Sequence, residues 1–248
     1  MKTLLNGLLG TLAMASGFIA ALLVLGAGLG YRAETLDLGQ AFTLLRWGAY
    51  LGLASLPLVL GYSFWRKPGG SLAVGFAASI VLGLISFYLP FSQLQTAKSV
   101  PPIHDISTDL NNPPAFVAIA PLRAGASNPV EYAGENTAEQ QREAYPEIQP
   151  LILEQPLGRV FTAVEASVNE LGWELVAAER QGDSARVEAT DTTLWFGFKD
   201  DVVIRLQPES EAIRVDVRSK SRVGKSDVGA NAARIKRFFE TLQAELKN

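Results

Sequence analysis

Cysteine is absent from the 248 residues, and histidine occurs once, as His104. Disulfides and thiolate metal sites are therefore excluded, and a single imidazole rules out a histidine-rich zinc or iron centre. A chain without cysteine suits either redox compartment. Charge is scarce as well. Charged residues make up 19% against 48% hydrophobic, and the net charge of −3 points to no particular partner. Nucleic acid is not among the expected ligands. The apolar excess lies almost entirely before residue 97.

Three stretches there lack charge altogether: Leu4–Gly30, Trp47–Trp65 and Ser71–Leu94. Each is long enough to cross a bilayer as a helix, which takes roughly 17–25 residues. Trp47, Trp65 and Tyr88 stand near their ends, where interfacial aromatics collect. The alternative for the first run is a cleaved signal peptide, with Ala13-Met14-Ala15 as the small-residue site. The run continues unbroken to Gly30, further than a signal peptide requires. Three spans are expected.

Lysine and arginine flanking the spans set their direction. The Trp65–Gly70 connection carries Arg66 and Lys67 without an acid and is expected in the cytoplasm. Lys2 and the amino terminus join it there. The Tyr31–Arg46 connection balances Arg32 and Arg46 against Glu34 and Asp37, and is expected outside, as is everything after the third span. In a bacterium that places the C-terminal part in the periplasm, or on the extracellular face of a single membrane.

Small residues recur four apart in the spans: Gly26 and Gly30, Gly48 and Gly52, then Gly75, Ser79 and Gly83. Such faces let helix backbones approach, within a bundle or onto a partner's helices. Pro57 predicts a kink in the second span. No charged side chain lies inside the three runs, so an ion or proton pathway lacks the groups that would bind and relay its cargo. An anchor or packing bundle is the expectation.

Residues 97–156 hold nine of the thirteen prolines, which favours extended and turn backbone over helix. A tether over 97–150 with extended segments that wrap onto the following domain is expected, with Phe116–Ile119 as an edge strand and a short helix over Ala138–Tyr145. From Pro156 the pattern becomes globular. Leu157, Val160, Phe161, Val164, Val168 and Leu171 recur at helical spacing up to Gly172. Strand-like runs follow at Trp173–Arg180, Arg186–Asp191, Leu194–Phe198, Val202–Gln207 and Ala212–Ser219. A last helix over about Val228–Leu246 has Ile235, Phe238, Phe239 and Leu242 on one face. The expected class is α+β: three transmembrane helices over 1–96, the tether, then over 151–248 an antiparallel sheet with two helices packed on one face.

Four segments carry a resemblance: IHDISTD (103–109), PPAF (113–116), FGFKDDVVIRL (196–206) and DVRSKSRVGKSDVGANAARI (216–235). Together they resemble the membrane-anchored bacterial branch of the domain of unknown function 1499 family, over roughly residues 100–246. The resemblance implies an architecture and no established activity, so no catalytic residues come with it.

The last of these segments is the richest in chemistry. Gly224-Lys225-Ser226 matches the end of a phosphate-binding loop, but the position five before Gly224 is Ser219 where a glycine is needed, so no nucleotide or other cofactor is expected. Period-two alternation puts Ile213, Val215 and Val217 toward the core and Arg214, Asp216, Arg218, Lys220 and Arg222 on the other face. A helix start capped by Ser226 or Asp227 follows, where unpaired N–H groups favour anions. Residues 214–237 hold eight basic and two acidic side chains, while 131–191 hold four and thirteen. Arg218, Lys220, Arg222, Lys225 and Ser226 are therefore the candidate anion site; the competing reading is internal pairing or a solvated face.

Three other candidates are weaker. Asp105–Asn111 has alternating oxygen donors but Leu110 and Phe116 where a calcium loop needs glycine and glutamate, so a turn rich in side-chain hydrogen bonds is expected and no metal. His104 beside Asp105 or Asp109 would be the core of an envelope hydrolase, though no nucleophile motif accompanies it. Asp200 and Asp201, adjacent in a strand, would point to opposite faces, and are otherwise solvated turn residues. The function expected is non-catalytic: a multi-pass protein of the bacterial cytoplasmic membrane whose outward domain binds an anionic lipid or envelope polymer, or a membrane protein partner. The alternatives are the hydrolase and an accessory subunit of a membrane complex.

Overall fold

The computed structural model describes residues 2–247, with side chains from Asn6 onward. The amino terminus of Met1 and the side chain of Lys2, which bear on the expected cytoplasmic N-terminus, lie outside the described residues. The chain divides into two compact units, one of residues 1–96 with Leu194–Gly197, the other of 97–193 with 198–248.

In the first unit, helices α1 (Lys2–Arg32), α2 (Leu38–Arg66) and α3 (Ser71–Ser99) are long and apolar enough to cross a membrane. Helix α2 starts nine residues before the expected Trp47. Arg46 interrupts the charge-free run, but it points outward from a continuing helix. The start is set instead by Asp37, which accepts from Gln40 N while the Gln40 side chain accepts from Asp37 N. The α1–α2 connection thus shrinks to residues 33–37 and carries Glu34 and Asp37 alone.

Two of the three small-residue faces form helix contacts. A Cβ on Gly52 would stand 2.6 Å from Gly83 O, and one on Gly48 would stand 2.6 Å from Val24. Ser79 lies against Gly17 of α1, whose N–H donates to Ser79 Oγ at 3.2 Å. Gly26 meets nothing within 4 Å. Pro57 and Pro90 lie inside α2 and α3.

The second unit is an antiparallel sheet with helices. Its strands are β1 (Asp105–Ser107), β2 (Leu151–Leu153), β3 (Glu174–Gln181), β4 (Ser184–Thr192), β5 (Lys199–Glu209) and β6 (Ala212–Ser221). They run in the order β1-β6-β5-β4-β3, with β2 also paired to β6. The helices are α4 (Glu135–Ala144), α5 (Leu157–Glu170) and α6 (Ala230–Glu245). Alternate residues Val202, Ile204 and Leu206 of β5 and Val215 and Val217 of β6 share one buried core with Val160, Val164 and Val168 of α5 and Ile235, Phe238 and Leu242 of α6. The α+β class with two helices on one face is what the chain adopts.

Two expected strands are absent. Leu194–Gly197 turns between β4 and β5, closed by Thr193 N donating to Phe198 O, and Gly197 has a φ of +69°. Phe116–Ile119 pairs with no strand, because its N–H groups are aimed at a side chain instead. The proline-rich segment belongs to the same compact unit as the sheet and lies over the sheet's second face, as a strap.

Gly52→Leu is expected to push α2 from α3 and cost about 1–3 kcal/mol, as overpacking does. Gly26→Leu should leave stability unchanged. Thermal melting of the full chain in one detergent compares the two.

Candidate functional site

The face of the sheet opposite the apolar core is polar and buried. Glu188 of β4, Asp201 of β5 and Asp216 of β6 are fully buried there, and so is Asp105 of β1. Each is hydrogen-bonded on both oxygens. Asp201 accepts from Arg123 at 2.6 Å, from Arg222 twice at 2.8 Å and from Thr190 at 2.8 Å. Asp105 takes two bonds from Arg218 at 2.9 Å, one from Ala133 N at 3.2 Å, and lies 3.0 Å from Lys220 Nζ. Glu188 accepts the successive backbone N–H groups of Val117, Ala118 and Ile119 at 2.8–3.1 Å, which is why those residues form no strand. Asp216 is held by Arg205 and Arg214.

The expected anion-binding residues divide here. Arg218 is buried; besides Asp105 it reaches the carbonyls of Pro114 and Val130, and its guanidinium lies 4.9 Å from the Phe116 ring centre and 5.4 Å from that of Tyr132. Lys220 is fully buried, donating to Glu131 O at 2.5 Å. Burial pushes its ammonium below the ordinary lysine value, with Asp105 opposing. Arg222 clasps Asp201. Lys225 alone of the five is exposed. Ser226 accepts from Val228 N at 3.2 Å, and Asp227 accepts from Gly229 N at 2.8 Å and Asn231 N at 2.9 Å. Asp227 thereby occupies the start of α6, where an anion would otherwise dock.

The loop that presents Lys225 is held from outside itself. Asn128 Nδ2 donates to Ser221 O at 3.0 Å and Gly224 O at 2.9 Å, and Asp227 N donates to Ile103 O at 3.0 Å. Its end carries Val228 with a φ of +58°, a conformation costly for a β-branched residue.

His104 places Nδ1 3.3 Å from Lys225 O. Asp105 is turned to Arg218 and Lys220, and Asp109 to Arg205, so neither carboxylate orients the imidazole. Asp109 also accepts from Asn111 N and Asn112 N at 3.0 and 2.9 Å, the turn expected for this segment. Asp200 and Asp201 do point to opposite faces, but as buried strand residues and not solvated ones: Asp200 bonds Arg234 of α6 at 2.6 Å. Among the described residues, no group of three or more His, Asp or Glu is placed to hold a metal. A groove of about 290 Å³ runs between Pro113, Pro114 and the strand residues Arg186, Arg205 and Gln207.

Sequence reasoning missed Arg123 and Glu188. Alternation marks Glu188 as facing away from the apolar core, and nothing in its neighbours says whether water or protein covers it. The one signal was nine prolines in sixty residues, an ordered covering segment more than a loose one.

Two outcomes test this core. Asp201→Asn weakens the charge that Arg123 and Arg222 share, and should cost about 3–5 kcal/mol, as breaking a buried pair does. Glu135→Gln, at the exposed pair with Arg142, should leave the urea midpoint of the full chain in place. Tyr132, raised to about 12 by burial and then by Asp105, keeps its proton longer folded than unfolded. Stability should therefore fall as pH rises from 10 toward 12. Tyr132→Phe removes a buried hydroxyl that has no hydrogen-bond partner and should flatten that loss in unfolding curves recorded across the range.

The family model described as a protein of unknown function (DUF1499) matches residues 105–242. No curated protein matches the chain.

Proposed function

The chain belongs to the protein family of unknown function DUF1499, so no activity comes to it from its relatives, and we propose from its own residues that it is a non-catalytic, membrane-anchored binding protein. It sits in the bacterial cytoplasmic membrane with its sheet domain in the periplasm. The direction rests on the connections. Arg32 at the end of α1 is the one basic residue beside Glu34 and Asp37 of the α1–α2 connection, whereas Arg66 and Lys67 flank the turn from α2 to α3 with no acid. Three spans then put the two ends of the chain on opposite sides.

The contact surface is the loop Arg222–Val228, and its ligand is an anionic group of an envelope lipid or polymer, or of a protein partner, met by Lys225. The observation that carries this is the strained and clamped backbone of that loop. A β-branched residue stays at positive φ only where its surroundings over-determine it, and such positions gather at functional sites. A loop held in this way lets Lys225 bind without a further cost for ordering its backbone. The saturated carboxylates support a non-catalytic role, since a general acid or base needs a free oxygen to meet its substrate.

The test is thermal melting of the full chain in nanodiscs of neutral lipid, titrated with polyphosphate or with phosphatidylglycerol vesicles. A saturable rise is expected, about 2–4 °C for each kcal/mol of binding, lost in Lys225→Glu and kept in Lys247→Glu. No rise with either probe, or a rise that survives Lys225→Glu, would sink the proposal.

A further inference from the structure

The four residues Leu194-Trp195-Phe196-Gly197 join β4 to β5 in sequence, yet they belong to the compact unit of the three long helices. Their contacts say where along those helices they sit. Trp195 Nε1 donates to Leu25 O at 3.3 Å, and the Arg32 guanidinium donates to Leu194 O. Phe196 is buried, its ring centre 5.9 Å from that of Phe42 and 6.1 Å from that of Tyr31. Gly28 makes the approach possible, because a Cβ there would lie 2.2 Å from Trp195 Nε1. The segment thus spans the stretch of α1 from Leu25 to Arg32, about 10 Å at 1.5 Å per residue. Arg32 is the last residue of α1 and the first charge after its apolar run.

Leu194 is the exception within this packing. At 88% exposed it is the most exposed large hydrophobic residue among the described residues. Covering its side chain with apolar matter would remove that surface from water. On α1 and α2, which Trp195 and Phe196 contact, the outward residues Leu25, Leu29 and Phe42 are about half exposed, and both helices are apolar enough to span a bilayer. Tryptophan at the end of a span, with its ring against helix and its N–H on a carbonyl, has the place of an interfacial aromatic.

We infer that Leu194–Gly197 is a membrane-contact loop, whose Trp195 and Phe196 lock onto the end of α1 and whose Leu194 enters the lipid at the bilayer edge. The inference rests on the reading that α1, α2 and α3 cross a membrane. Lipid is the occupant because the loop packs on helices whose outward surface is apolar.

The absence of cysteine makes the test direct. Leu194→Cys, in the full chain reconstituted in lipid bilayers, receives a nitroxide whose collisions with oxygen and with a water-soluble nickel chelate are measured. Leu84→Cys, on the middle of α3, and Asp183→Cys, in the turn between β3 and β4, are the references. The label at 194 is expected to resemble that at 84, with an oxygen-to-nickel ratio several-fold above that at 183. A ratio equal to that at 183 overturns the inference. Shielding from both reagents, with dipolar broadening between labels, overturns it in favour of a second copy of the chain. If the label at 84 is itself reached by nickel, the membrane-spanning reading fails, and the inference falls with it.

Discussion

A carboxylate buried inside a sheet keeps its place only while its lone pairs are filled, and the sheet unit is arranged around that requirement. Asp105, Glu188, Asp201 and Asp216 all project from the face opposite α5 and α6, and all are fully buried. The strap supplies what they need. It brings Arg123 to Asp201, three successive N–H groups to Glu188 and Ala133 N to Asp105. Its carbonyls at Pro114, Val130 and Glu131 accept from Arg218 and Lys220. Proline suits a segment with this duty. It fixes an extended path, offers a carbonyl, and has no N–H that would need its own partner in a buried place.

The unit therefore has two cores of different physics. The helix side is held by apolar burial, with Trp173 stacked on Phe238 and aliphatic strands beneath. On the strap side the apolar contribution is small: Phe116 and Ile119 against Val203. Buried ion pairs return little net stability, because desolvation offsets most of the attraction, whereas a wrong pairing leaves a charge orphaned and costs several kcal/mol. The strap side thus contributes register more than stability. Arg218 illustrates it, since both its nitrogens on Asp105 and both its aromatic neighbours are right only when strap and strand β6 are aligned.

This also accounts for what could be read in the sequence. Spans follow from charge-free length, and helices α5 and α6 from apolar spacing, because each element is decided by its own residues. The alternating charges of β6 are not of that kind. Arg214, Asp216, Arg218 and Lys220 alternate identically whether water or a strap lies over them, so a wet face and a buried network share one pattern. The tether had the same ambiguity from the other side, since proline reports backbone shape and not what the backbone touches. Asp200-Asp201 fell between the expected strands Leu194–Phe198 and Val202–Gln207; each has an arginine from a different layer, Arg234 and Arg123, far away in sequence. The start of α2 was legible in principle through the Asp37–Gln40 capping box, and the weight given to Arg46 obscured it.

The division between engaged and exposed charge bears on where function can reside. A side chain whose hydrogen bonds hold the fold cannot be lent to a ligand without opening the core, and Arg218, Lys220 and Asp201 are in that position. Lys225 is not. Its neighbours Arg222 and Asp227 face inward, to Asp201 and to the start of α6, and its own carbonyl meets His104, so backbone and flanks are fixed while the ammonium reaches water. The same network that buries the charges of β6 therefore also fixes the backbone of this loop, and Val228 at positive φ is the local cost of that geometry.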